Sequence, residues 1–313
     1  ADNLLPQLKK EQVFRYDQAA HGVRLMAWGF FKKCVCAAYL SRLADAVYND
    51  VSYASGGAAA LATAAFALQI YCDFGGYSDI ARGCSEMMGV ELMVNFKAPY
   101  FALSMRDFWK RWHISLTSWF REYVYFPLGG SRRGFARTLR NTLIVFALSG
   151  LWHGASWTFV AWGLLHALYL CAELIWNRLR RNAPKVPGPC CKALLLLKTF
   201  VLACIAWTFF RADTMADALA VLGAAFAGLR HPLTWMQDAW HLLTAGGTLT
   251  AAITVFSVLV LLLGDLLDEK NDAMAAVGRL RPAARYALYV VFLLGILLLI
   301  PKTTAAPFIY FQF

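Results

Sequence analysis

Charge is what this chain has little of. Asp, Glu, Lys and Arg make up 16% of its 313 residues, against about 25% in soluble globular domains. Hydrophobic residues make up 59%, and the mean hydropathy is +0.50. A soluble globular protein of this size is excluded. Signatures of soluble catalysis are missing as well: no G-x-S-x-G elbow, no Walker loop, and no G-x-G-x-x-G in a βαβ setting. The eight cysteines show no C-x-x-C and no metal-ligand spacing, so neither a zinc site nor a disulfide framework is expected. Cys34, Cys36, Cys72, Cys171 and Cys204 fall in or beside apolar runs and read as reduced, small apolar side chains. There is no internal repeat and no low-complexity tract. The chain opens at Ala1 without an initiator methionine or a signal-peptide core, as a fragment or processed chain would.

What remains is an all-α, polytopic membrane protein parsed as one domain over residues 1–313. Spanning segments need roughly 20 apolar residues. Candidates are Val23–Tyr39, Ala58–Ile80, a pair within Asn141–Trp176, Leu194–Phe210, Leu249–Leu263 and Leu288–Ile300. The net charge of +11 does not indicate nucleic acid, because Lys and Arg cluster between apolar runs, where cytoplasmic loops collect them. Arg132, Arg133, Arg137 and Arg140 precede Asn141–Trp176, and Arg178, Arg180, Arg181 and Lys185 follow it. With both flanks basic and therefore cytoplasmic, the segment between them must enter the bilayer and return. Pro184, Pro187, Gly188 and Pro189 mark a loop.

Within that hairpin the ionisable side chains are few: His153, His166, Tyr169, Cys171 and Glu173. An unpartnered polar group in hydrocarbon costs on the order of 2–7 kcal/mol, so His153, between Gly150 and Gly154 near the turn, requires a role or a partner. Ser149, Ser156 and Thr158 are local partners for a purely structural histidine. His166 follows thirteen residues later; on one continuous helix the two rings could not share a site.

From Arg106 to Tyr125 apolar residues recur at steps of three and four: Trp109, Trp112, Leu116, Trp119, Phe120 and Tyr123. This predicts an amphipathic helix in the cytoplasmic interface, with Arg106, Lys110, His113, Thr117 and Arg121 on the polar face. A solvated interfacial histidine and a histidine that helps position a reacting group both fit His113. Asp73 and Asp79 end an apolar span, and Lys32 and Lys33 sit inside another. Structural ion pairing between them, or an ion path of a transporter, accounts for such residues.

Taken in order, Asp73-Phe74-Gly75-Gly76-Tyr77-Ser78-Asp79, Asn95-Phe96, Pro99-Tyr100, Phe108-Trp109-Lys110-Arg111-Trp112-His113-Ile114-Ser115-Leu116, Pro127-Leu128-Gly129-Gly130 and Gly150-Leu151-Trp152-His153-Gly154 resemble the membrane-bound O-acyltransferase family, its bacterial alginate O-acetyltransferase branch above all. The terminal Phe308-Ile309-Tyr310-Phe311-Gln312-Phe313 resembles the family's ending. The family's amino-terminal spans are missing, and Asp-Phe-Gly-Gly stands where Asp-Phe-Ser-Gly is commoner.

The resemblance implies a multi-pass enzyme of the bacterial inner membrane, the carboxyl-terminal part of a longer family chain, with re-entrant and interfacial helices. His153 and His113 map onto the family's two histidines and are the expected catalytic residues. Trp152 and Trp157 are expected to wall the site, Arg106 and Lys110 to steer an anionic donor, and Asp73 to contribute to substrate binding. No tightly bound cofactor or metal is implied; acetyl-CoA or another acyl thioester is the donor. The implied partners are the lipid bilayer, periplasmic acetyltransferase proteins and a polysaccharide acceptor such as alginate. The related branch that transfers D-alanine to teichoic acid shares the histidine pair and is the nearest alternative; an ion-coupled transporter is the alternative from another class.

Overall fold

The structure is a computed structural model that describes residues 4–180, 188–270 and 272–301. The terminal motif Phe308–Phe313, and Arg181, Pro184, Lys185 and Pro187 of the basic loop, lie outside the described residues. Among the described residues every regular element is helical. In chain order these are α1 (Leu4–Leu8), α2 (Tyr16–Phe30), α3 (Ala37–Tyr48), α4 (Gly56–Met87), α5 (Met105–Arg111), α6 (Ile114–Phe120), α7 (Phe135–His153), α8 (Trp157–Leu179), α9 (Pro189–Arg211), α10 (Met215–Ala227), α11 (Pro232–Thr244), α12 (Thr248–Lys270), α13 (Ala273–Gly278) and α14 (Pro282–Leu299). Of these, α4, α8, α9, α12 and α14 are long and apolar enough to cross a membrane. Pro189 starts α9 because its missing N–H is one a first helical turn leaves unpaired anyway.

Where the sequence parses as one domain, the described residues form two compact units. One takes Leu68–Ala98 with the described residues up to Arg42 and from Thr244 onward; the other takes Leu43–Ala67 and Pro99–Leu243.

In the first unit, α2 runs into α3 through a π-helical turn, Phe31–Cys36, that carries the buried Lys32 and the half-buried Lys33. The widened turn lets both ammonium groups reach α4, where Lys32 pairs with Asp79 and Lys33 with Asp73. Each charge buried in an apolar helix thus has a counter-charge. Tyr71 Oη donates to Asp265 Oδ1 of α12 at 2.8 Å, and the Lys32 ammonium lies 5.3 Å from the centre of the Tyr71 ring. A Cβ built on Gly75 would stand 3.6 Å from Lys32 Nζ, so the commoner serine would bring its hydroxyl to this ammonium. Trp28, Phe31 and Phe292 pack beside the network, with centroids 5.3 Å apart for the first two and 5.5 Å for the last two.

His21, just before the apolar run of α2, bridges two carboxylates: Nδ1 lies 2.5 Å from Glu86 Oε2, and Nε2 3.4 Å from Asp272 Oδ2, at the cap of α13. The hydrogen bond to Glu86, with the charge of both carboxylates and against the effect of burial, raises the imidazole pKa above its usual 6.5. A group whose pKa is raised on folding stabilises fully below its unfolded pKa and loses that contribution as pH rises through the folded value. The unfolding midpoint in detergent should therefore fall as pH rises above about 6.5, and His21→Gln should flatten this fall. An unchanged slope in the variant would remove His21 from the account.

In the second unit, α7 and α8 form the expected antiparallel hairpin, turning at Gly154–Ser156. Their 19 and 23 residues give arms of roughly 28 and 34 Å. Glycines set the spacing: a Cβ on Gly150 would come within 2.4 Å of the Phe159 carbonyl oxygen, and one on Gly163 within 2.2 Å of that of Phe146. Only hydrogen fits at either position, so the two backbones touch. At the basic end, Asn141 is fully buried and its Nδ2 donates to the Leu128 and Gly130 carbonyls at 3.2 Å each, tying the Pro127–Gly130 turn to α7. At the end of α9, Arg211 Nη2 donates to Asp45 Oδ1 at 2.8 Å and to Asn49 Oδ1 at 2.9 Å.

Candidate active site

The amphipathic stretch is broken where the sequence predicts continuity. α5 ends at Arg111, Trp112 is extended, and His113 takes φ +42°, ψ +56°, before α6 resumes at Ile114 and a π turn follows over Arg121–Tyr125. A left-handed conformation costs a non-glycine residue on the order of 1–2 kcal/mol, and such strain concentrates at functional sites. The break also turns His113 inward. It is buried, with Ser115 Oγ 3.4 Å from its Nδ1, and is not on the solvated polar face. The apolar positions divide as well: Trp109, Trp112 and Phe120 are buried, whereas Trp119 and Tyr123 are exposed.

The first turn of α5 is held from α8. Glu173 accepts from the Met105 backbone N–H at 2.8 Å through Oε1 and from the Arg106 N–H at 3.1 Å through Oε2, while Ser104 Oγ caps the Asp107 N–H. The lone carboxylate of the apolar hairpin is thereby explained: it satisfies amides at the positive end of a helix dipole.

His153 occupies the last position of α7 and is half-buried. Ring centroids of Trp152 and Trp162 lie 5.0 Å from its own and that of Phe210 lies 5.1 Å away. The imidazoles of His113 and His153 are near enough for a charge on one to act on the other. Trp207 joins the two sides, 4.9 Å from Trp112, which precedes His113, and 5.8 Å from Trp162, which faces His153.

The expected walls need correction. Trp152 touches His153 yet is 55% exposed, and Trp157 is 79% exposed; Trp162, Phe159 and Phe210 enclose the imidazole instead. Trp207 and Phe210 come from α9, which the sequence marks only as a span. His166 also belongs to this cluster, 5.1 Å from Trp162, because the helix breaks at Gly154 and folds α8 back along α7. Asp73 lies in the other unit, paired with Lys33.

Arg106, Lys110, Thr117 and Arg121, the remaining polar-face residues, line one cleft of about 460 Å³ together with Thr138, Thr142 and Glu173. Its inner wall is Trp109 and Phe146, whose rings lie 4.9 Å apart and 5.0 and 6.3 Å from His166. The cleft and the histidine cluster thus share an aromatic partition. Its cations suit an anionic group such as a phosphate. Among the described residues no group of three or more His, Cys, Asp or Glu is placed to hold a metal ion.

Residues 5–212, which include both histidines and the cleft, match the family model described as MBOAT, membrane-bound O-acyltransferase family. The chain belongs to that family. Among its relatives are a peptidoglycan O-acetyltransferase of Helicobacter pylori, 38% identical over 70% of this chain and 41% of that protein, and a Pseudomonas putida protein named "Probable alginate O-acetylase AlgI", 34% identical over 95% of this chain and 62% of that one. A teichoic acid D-alanyltransferase of Streptococcus thermophilus is 33% identical over 38% of this chain and 31% of its own length. The chain therefore spans about two fifths to three fifths of the relatives it matches. In this membrane-bound O-acyltransferase family chain the match takes in α5 to α9 in full and leaves out the residues beyond 212.

Proposed function

We propose that this protein is a multi-pass O-acyltransferase of a bacterial inner membrane that moves an acetyl group from a cytoplasmic thioester toward hydroxyl groups of an extracellular polysaccharide such as alginate, with periplasmic acetyltransferase proteins as partners. The observation that carries the reading is the gathering of His153 and His113 in one aromatic cluster at the turn of the α7–α8 hairpin. A neutral imidazole has a free ring nitrogen that accepts a proton, and so serves as a general base. His153 removes the proton of the acceptor hydroxyl as its oxygen attacks the thioester carbonyl, and returns that proton to the departing thiolate. The enclosing rings keep water from competing as the acceptor.

Arg106, Lys110 and Arg121 in the cleft support an anionic, phosphate-bearing donor such as acetyl-CoA or a carrier-bound thioester. The test is reconstitution of the full-length protein in liposomes with labelled acetyl-CoA and the partner proteins. Arg106→Gln and Lys110→Gln should each raise the donor KM by about tenfold, the loss of one charge-assisted contact. The effect should shrink as salt screens the remaining charges. Unchanged KM in both variants would remove the cleft from donor binding.

D-alanyl transfer is the second reading, favoured by the teichoic acid D-alanyltransferase relatives. Neighbouring genes for a carrier protein and an amino-acid ligase would favour it; polysaccharide synthesis genes would favour acetylation. The transporter reading loses its motive, since each of the lysines and aspartates it needs is held in an ion pair. It predicts ion-dependent solute flux that survives His153→Ala.

A further inference from the structure

Three ring nitrogens beside the histidine site have no hydrogen-bond partner: Nε1 of Trp162, Nε2 of His166 and Nε1 of Trp207. Their residues are 1%, 0% and 1% exposed. Groups so deeply buried are paired in the great majority of folded proteins, and each exception calls for an explanation. The other such side-chain atoms among the described residues belong to Gln18, Arg24, Gln69 and Arg82 of α2 and α4. These three instead share one cluster, with centroids 5.1 Å apart for Trp162 and His166, 5.8 Å for Trp162 and Trp207, and 6.2 Å for His166 and Trp207.

All three are donors. An indole nitrogen only donates, so in the 3.3 Å contact between Trp109 Nε1 and His166 Nδ1 the imidazole accepts, and the proton of the neutral ring sits on Nε2. Three neutral N–H groups without an acceptor among them call for an oxygen with free lone pairs. Trp162 is also the ring that packs on His153. Phe108, Trp112 and Phe210, all buried, pack around the cluster.

We propose that the N–H groups of Trp162, His166 and Trp207 bind the carbonyl oxygen of the acyl group and stabilise the negative charge that develops on it, an oxyanion cradle made entirely of aromatic side chains. The inference rests on the acyl-transfer reading above. As the acceptor oxygen bonds to the carbonyl carbon, its proton passes to His153 and the C=O π pair moves onto the carbonyl oxygen, where the cradle receives it. When the C=O bond re-forms, the C–S bond breaks and the thiolate takes the proton from His153. Atoms and charge balance, and no further reactant enters. Pre-oriented donors in a water-excluded site favour the transition state over the bound donor, so the cradle acts on kcat more than on KM.

The experiment removes the N–H and keeps the ring. Trp162 and Trp207 are replaced, singly and together, by benzothienylalanine, in which sulfur stands for the indole N–H, in the full-length protein reconstituted in liposomes; His166→Phe is the third variant. Each benzothienyl substitution should lower kcat for acetyl transfer by about 10²–10³-fold, as loss of one oxyanion donor does elsewhere. The donor KM and the unfolding midpoint should stay at parental values. Parental kcat in both single variants overturns the cradle. So does a fall in kcat that comes with a lowered unfolding midpoint, since the rings then act through packing. If the parent protein transfers no acyl group from any thioester, the functional reading fails first and the cradle with it; a parent that transfers while the variants match it sinks the cradle alone.

Discussion

His153→Ala should lower acyl transfer by about 10²–10⁴-fold, the usual contribution of a positioned general base, while the protein still inserts and folds. The expectation follows from where the ring sits. His153 ends α7, and its backbone is fixed by the close approach of α7 to α8 at Gly150 and Gly163 rather than by its own side chain. Removing the imidazole leaves Trp162, Phe159 and Phe210 packed on one another, with Phe159 and Phe210 5.0 Å apart and Trp162 and Phe210 5.3 Å apart. The cost to stability is therefore small against the cost to chemistry. His113→Ala should also reduce transfer, since Trp112 and Trp207 join its position to the rings around His153. Labelled-acetyl transfer in proteoliposomes, normalised to inserted protein, provides the measurement. If both variants run at the parental rate, the assignment of the site is wrong.

The second large effect concerns folding. Asp79→Ala should destabilise the protein by about 3–5 kcal/mol, the usual consequence of leaving one member of a buried ion pair without its partner. Lys32 is 3% exposed on the π turn of α2–α3, so water cannot replace the lost carboxylate. The double replacement Lys32→Met with Asp79→Leu should recover most of that loss, because two apolar side chains of similar volume need no mutual compensation. Unfolding in detergent of the parent, both single variants and the double variant forms the cycle. Equal losses in single and double variants would mean that Lys32 is held chiefly by Asp265 and Tyr71, its other neighbours.

Features carried by desolvation are legible in the sequence. Basic flanks around a long apolar stretch can only describe a chain that goes in and returns, and α7–α8 is that hairpin. Adjacent lysines in an apolar helix demand carboxylates, and Asp73 and Asp79 answer them. Arg106, Lys110, Thr117 and Arg121 share one cleft, as their helical spacing implies. Features that depend on a single dihedral were not legible. The three-and-four spacing continues through residue 113, so nothing in the pattern reports that His113 is left-handed and turned inward. The aromatic contribution of α9 was equally hidden, since Trp207 and Phe210 in an apolar run carry no period that points them at a site. Glu173 did carry a signal, being the one carboxylate of the hairpin, but besides Lys198 its partners are backbone amides, which every sequence contains.

The clasp that Glu173 forms on the amides of Met105 and Arg106 gives the two histidines a common mount. One is borne by the tip of α7, which is locked to α8; the other follows a short helix whose beginning is clipped to the same α8. Whatever rocking the surrounding spans undergo during turnover, the spacing of this pair is referenced to a single rod.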